Sequence, residues 1–163
     1  MKKLTLCLIS MLTFLMLLTG CGSNPVQKDL LSYINDYIVP MAPEETKIMD
    51  QFESVTGANY TDDETLYNML MDTIIPAYRD YSDKLQTIQP ETPEVRELHE
   101  QYIALSVVTQ STFIGFADAL EKQDLGLANE ANTKLQQANK LGREFQTQLK
   151  DMAKKYKVEF KTK

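Results

Sequence analysis

Apolar residues fall along the chain in two regimes. From Leu4 to Leu18 they form one nearly unbroken run behind Lys2 and Lys3. From Leu30 onward they recur every three or four positions, the spacing of one helix face. The first series is Leu30/Leu31, Ile34, Ile38, Met41, Ile48, Phe52 and Val55. Asn24 as N-cap and Pro25 at the first helical position open it, and Gly57 closes it. The second series is Leu66/Tyr67, Leu70, Ile74, Ala77/Tyr78, Tyr81, Leu85 and Ile88. Its start, Thr61-Asp62-Asp63-Glu64, reads as a capping box with acids where the helix dipole favours them. The third begins at Thr92-Pro93 and carries Val95, Leu98, Tyr102, Leu105, Thr109, Phe113, Phe116 and Leu120. The fourth is Ala128, Ala131, Leu135, Ala138, Gly142, Phe145, Leu149, Met152 and Tyr156, in alternating steps of three and four like a coiled-coil seam. Its small residues lie in the first half, where a neighbouring helix is expected to come close. Residues 157–163 read as a polar, Lys-rich tail.

Four such series joined by short turns predict an all-α fold over residues 25–156, an antiparallel up-down-up-down four-helix bundle. There is no period-2 strand pattern and no Gly-rich phosphate loop. Pro40 and Pro43 interrupt the first helix and Pro76 the second, so both are expected to bend, since each proline removes a backbone donor. Asp36-Tyr37-Ile38-Val39-Pro40 and Asp72-Thr73-Ile74-Ile75-Pro76 share one pattern. A hairpin turning near residue 58 or 59 sets Pro40 and Pro76 at one height, with Leu105 and Gly142 close to that level. Two readings of this level stay open. One is a small ligand cavity lined by Tyr37, Met41, Tyr78, Tyr81, Tyr102 and Leu105. The other is that the prolines wrap two helices around a filled core and the tyrosines present hydroxyls at its edge.

The leader has a charged start, a short apolar run and small residues at its end, which is the layout of a secretory signal peptide over residues 1–20. The run is short for a transmembrane span of ~20 residues. Leu18-Thr19-Gly20-Cys21 resembles the bacterial lipoprotein signal, the lipobox. The resemblance implies cleavage between Gly20 and Cys21 and a diacylglyceryl group on the Cys21 thiol. It also implies a cell-membrane location, lipid-anchored on the extracytoplasmic face. Two acyl chains make such anchoring stable where one does not. Residues 22–24 are then the whole tether, with a reach of ~10 Å.

Charge and cysteine content narrow the partners. The leader holds two of the 17 basic residues, so the mature chain carries 15 against 23 acidic side chains, a net −8 with His99 neutral. Such a chain is a poor ligand for nucleic acid. Cys7 leaves with the leader and lipid occupies Cys21, so no intramolecular disulfide is available and packing must hold the fold. His99 is the single histidine and is read as part of a solvated helix face between Glu97 and Glu100. One histidine cannot supply the two Glu-x-x-His motifs of a di-iron bundle. The mature methionines Met41, Met49, Met69, Met71 and Met152 are dispersed and read as core filling. No catalytic residue, metal or cofactor is expected. Lys150, Lys154, Lys155, Lys157, Lys161 and Lys163 suit a helix C-terminus and equally suit an anionic membrane surface.

The lipobox, the short tether and the stretch Gly57-Ala58-Asn59-Tyr60-Thr61-Asp62-Asp63-Glu64-Thr65-Leu66-Tyr67 give the chain a further likeness. Over most of Pro25–Tyr156 it resembles small uncharacterised lipoproteins of Bacillus-like Gram-positive bacteria. That resemblance carries a residue assignment at Cys21 alone. The function expected from all this is a non-enzymatic surface lipoprotein that binds a protein partner. The alternative is a small-molecule-binding lipoprotein using a mid-bundle cavity near Pro40 and Pro76.

Overall fold

The computed structural model describes residues 24–158, all of whose regular structure is helical. The signal peptide, the Gly20–Cys21 cleavage site and residues 159–163 of the tail lie outside the described residues. Four helical rods account for most of the described residues. The first, residues 25–53, is α1 (Pro25–Ser32), a π-helical turn (Tyr33–Ile38) and α2 (Val39–Glu53). The second, residues 63–86, is α3 (Asp63–Met69), a second π-helical turn (Leu70–Ile74) and α4 (Ile75–Gln86). The third and fourth are unbroken: α5 (Pro93–Lys122) and α6 (Leu125–Tyr156).

The rod starts follow from short polar side chains that satisfy otherwise orphaned N–H groups. Asn24 accepts from the Val26 N–H, with Pro25 in the first position. Asp62, not Thr61, caps α3, accepting from the Thr65 N–H at 2.8 Å. Asp124 accepts from Gly126 and Leu127. Thr92 precedes Pro93, but its side chain makes no cap bond. Its hydroxyl and N–H donate instead to buried Asp29, at 2.6 and 2.7 Å, and the Glu91 N–H donates to the same carboxylate at 3.1 Å. A residue of the first rod thus caps the approach to the third. α5 and α6 both end on left-handed residues, Gln123 and Lys157. The next N–H in each case, Asp124 or Val158, reaches back to Ala119 or Ala153 as in a Schellman motif. Val158 is buried, so the second residue of the expected polar tail, residues 157–163, packs on the core.

Both π turns stop two residues before a proline. Val39 N–H bonds to Ile34 C=O, and Ile75 N–H bonds to Leu70 C=O, each a five-residue step. A proline ring crowds the carbonyl four residues back and donates nothing to it. Those carbonyls belong to Asp36 and Asp72. One extra residue in the turn opens space for them and keeps the apolar face in phase on both sides. This is how the shared Asp-x-Ile-(Val/Ile)-Pro pattern reconciles a proline with a continuous rod.

The two prolines are not level, contrary to the hairpin arithmetic. The Lys84 Nζ sits 2.7 Å from the Glu44 carboxylate. Tyr102 bridges Glu45 and Tyr81. Residues 44–45 therefore face 81–84, with Pro40 further toward one end and Pro76 further toward the other, about 15–18 Å apart at 1.5 Å per residue. The physical reason is the connection 54–62. It is not a tight turn but a climbing segment with a short 3-10 turn at Gly57–Asn59. The Leu105–Gly142 pairing holds: a Cβ added at Gly142 would meet Leu105 Cδ2 at 3.8 Å.

α5 packs on α1, α3, α4 and α6, and its closest partner is α6. There Gly115 faces Ala131, where an added Cβ would lie 3.3 Å from the Ala131 Cβ, the close approach that the small half of the seam implied. The core between the rods holds Leu30, Tyr33, Ile48, Leu70, Ile74, Tyr78, Tyr81, Leu85, Val95, Leu98 and Phe113.

Candidate functional site

The level of Gly142 is open on one side. A groove of about 490 Å³ runs between α2, α5 and α6. Its floor is apolar, from Met49, Leu105, Phe113, Leu135, Ala138 and Gly142. Its rim carries Glu45 and Asp50 on α2 and Arg143 on α6. None of these three charged side chains is in an ion pair among the described residues.

Of the six residues expected around a cavity, only Leu105 lines this groove. Tyr78, Tyr81 and Tyr102 are buried, and they fill the core where the cavity was expected. Met41 is half-buried against that core, and Tyr37 is 40 % exposed on the first π turn. Tyr37 lies instead beside a small recess of about 120 Å³ with Lys28, Asp29, Tyr33 and Pro90.

The buried tyrosines form a hydrogen-bonded chain behind the groove. Tyr81 OH meets Tyr102 OH at 2.5 Å, and Tyr102 OH donates to Glu45 Oε2 at 2.7 Å. Burial, and next the Glu45 charge, push both phenols far up, because a phenolate there would be desolvated beside a carboxylate. Tyr78 is raised to about 12, mainly by burial, with Thr109 and Ser106 hydroxyls partly offsetting it. All three are neutral at any physiological pH, and Tyr102, itself bonded to Tyr81, orients Glu45 through a hydrogen bond. Tyr102 also stacks on Phe145, ring centroids 4.5 Å apart. Asp50 and Arg143 carry no signal of their own in the sequence, and Glu45 stands out there only as half of the acidic pair Glu44-Glu45. Gly142 does stand out, and the charged residues that flank a missing side chain were the available signal.

His99 departs from its expected place on a solvated face. It is buried, and its Nδ1 lies 3.1 Å from Tyr33 OH. Burial lowers its pKa from 6.5, with Glu100 working weakly the other way. Among the described residues no three His, Cys, Asp or Glu side chains gather where a metal ion would fit.

α5 is long and apolar enough by composition to cross a membrane. It packs on α1, α3, α4, α6 and the second π-helical turn. Its outward side remains apolar, with Val107 53 % and Ile114 41 % exposed. No family model, no curated protein and no solved structure matches this chain.

Proposed function

We propose that the chain is a membrane-anchored extracytoplasmic lipoprotein that is not an enzyme and acts by binding a protein partner. A diacylglyceryl group on Cys21 holds it to the cell membrane. Its four rods form an antiparallel up-down-up-down bundle standing on that surface. Support for the topology comes from the ends. Gln27 Nε2 donates to Lys157 C=O, and Asp29 binds the Glu91–Thr92 turn, so the start of α1, the start of α5 and the end of α6 meet at the tethered end. Exposed Lys28, Lys154, Lys155 and Lys157 lie at that end, suited to anionic headgroups at ~1 kcal/mol each when close to the surface.

The observation that carries partner binding is the set of large apolar side chains left in solvent, above all Leu125, 82 % exposed, with Val39 and Val107. Burying such residues is a main source of interface stability. The test has two steps. Cys21→Ala should move the protein from the envelope to the soluble fraction. Cross-linking on intact cells should trap an adduct with the wild type that is lost in the released variant. A variant that stays with envelopes unchanged refutes the anchor.

A second reading, small-molecule binding, is favoured by the groove beside Gly142. Gly142→Leu places a side chain into the groove, and its Cβ meets nothing closer than Leu105 Cδ2, at 3.8 Å. Loss of an apolar probe's binding in that variant would support this reading, and retained binding would reject it.

A further inference from the structure

The end of the molecule remote from Asn24 carries a second concavity. A notch of about 520 Å³ is lined by Leu66, Phe116, Ala119, Leu120, Leu125 and Ala128. A shallower depression of about 340 Å³ continues from it, sharing Asp63, Leu120 and Gln123 and adding Glu64, Tyr67 and Glu121. Leu125 stands at the lip as the first residue of α6, directly after the left-handed Gln123 and the capping Asp124. The cap chemistry asks nothing of that position, yet it holds a leucine in solvent.

The rim of the notch is acidic: Asp63, Glu64, Glu121 and Asp124. Helix starts account for three of them, where the dipole favours carboxylates. They do not account for Glu121. It lies in the last turn of α5, where the dipole disfavours a negative charge. Neither Glu64 nor Glu121 is in an ion pair among the described residues; the nearest pair is Lys122 with Asp118, at 4.0 Å. An apolar notch ringed by uncompensated acid is complementary to a segment with an apolar anchor and basic flanks. An anionic bilayer does not match it, and the notch lies at the far end from Asn24. A second copy does not match it either, because copies anchored by the same end bring like charges together.

We propose that this notch seats a basic, apolar-anchored segment of an extracytoplasmic partner protein. The inference rests on the partner-binding reading above and names its surface. The notch stands about 45 Å from the tethered end, given rods of about 30 residues at 1.5 Å each, and so presents the acidic pole outward.

The test uses the lipidated protein in phosphatidylcholine vesicles, which carry no net charge. Two synthetic amphipathic peptides with the same leucines serve as probes, one with lysines at its polar positions and one with glutamates. Fluorescence anisotropy reads their affinity. The lysine peptide should bind, less tightly as salt rises, and the glutamate peptide should not. Leu125→Asn should weaken binding about tenfold, as loss of one buried anchor does. It should leave the thermal melt unchanged, because Leu125 touches solvent on most of its surface. Glu64→Gln with Glu121→Gln should weaken binding about fivefold and flatten the salt dependence. Equal binding of both peptides, wild-type affinity in Leu125→Asn, or no binding of either peptide overturns the assignment. None of these results touches membrane attachment, which the Cys21→Ala fractionation decides separately.

Discussion

Replacing Asp29 by alanine tests whether the third rod depends on a cap supplied by the first. The carboxylate is 6 % exposed and accepts three hydrogen bonds, from Glu91 N–H, Thr92 N–H and Thr92 Oγ1. Hydrogen bonds to a charged group contribute about 1.5–3 kcal/mol each, and donors left unsatisfied cost about 1–3 kcal/mol. The recess next to Asp29 lets water reach part of the site, which argues for the lower half of that range. Asp29→Ala is therefore expected to cost about 3 kcal/mol, which corresponds to about 10 °C in Tm for a domain of this size. Asp29→Asn keeps one acceptor oxygen but turns an NH₂ toward a donor, and about half that loss is expected. Urea unfolding with an unchanged m-value reads the difference directly. A midpoint for Asp29→Ala within about 0.5 kcal/mol of wild type would show that the inter-rod cap contributes little.

Three further outcomes are expected. Tyr102→Phe strands the Tyr81 hydroxyl and the inner oxygen of Glu45, so stability should fall by about 1–2 kcal/mol while Glu45→Gln in that background adds little, read by a double-mutant cycle. His99 binds a proton less readily when folded than its ordinary value of 6.5. Well above 6.5 it is neutral in both states and makes no demand. As pH falls through 6.5 the unfolded chain takes up the proton first, and stability declines until the folded-state value is passed. Denaturant titrations from pH 7.5 to 5 should show this slope, and His99→Gln should reduce it. Deleting Asp72 together with Pro76→Ala removes the extra residue of a π turn and the ring that demands it. The cooperative melt should survive at a cost below about 2 kcal/mol, whereas deleting Ala104 rotates half of α5 by about 100° and should abolish it.

Much of the fold could be read from local chemistry. Asn24-Pro25, Thr92-Pro93 and Asp124 mark rod starts because capping and proline preferences act within three residues. Tyr156 ends α6 where the three-four seam ends. What the sequence hid depends on pairing between distant segments. His99 follows Val95 and precedes Tyr102 on one face, yet only the approach of Tyr33 shows that this face is buried. Asp29 looks like an ordinary surface acid until Thr92 arrives beside it. The prolines announced a disturbance in each rod. The π turn that absorbs it, and the climbing connection 54–62 that sets them at different heights, follow from contacts that no spacing rule encodes. The groove followed the same division. Gly142 and Leu105 were visible as its floor, while Glu45 and Arg143 come to its rim through the choice of which rod faces which.

The intact mass of the protein extracted from cell envelopes tests the anchored-bundle account most directly. The account predicts a chain that begins at Cys21 with a diacylglyceryl group on its sulfur. A chain that retains residues 1–20, or one that begins at an unmodified Cys21, would contradict it.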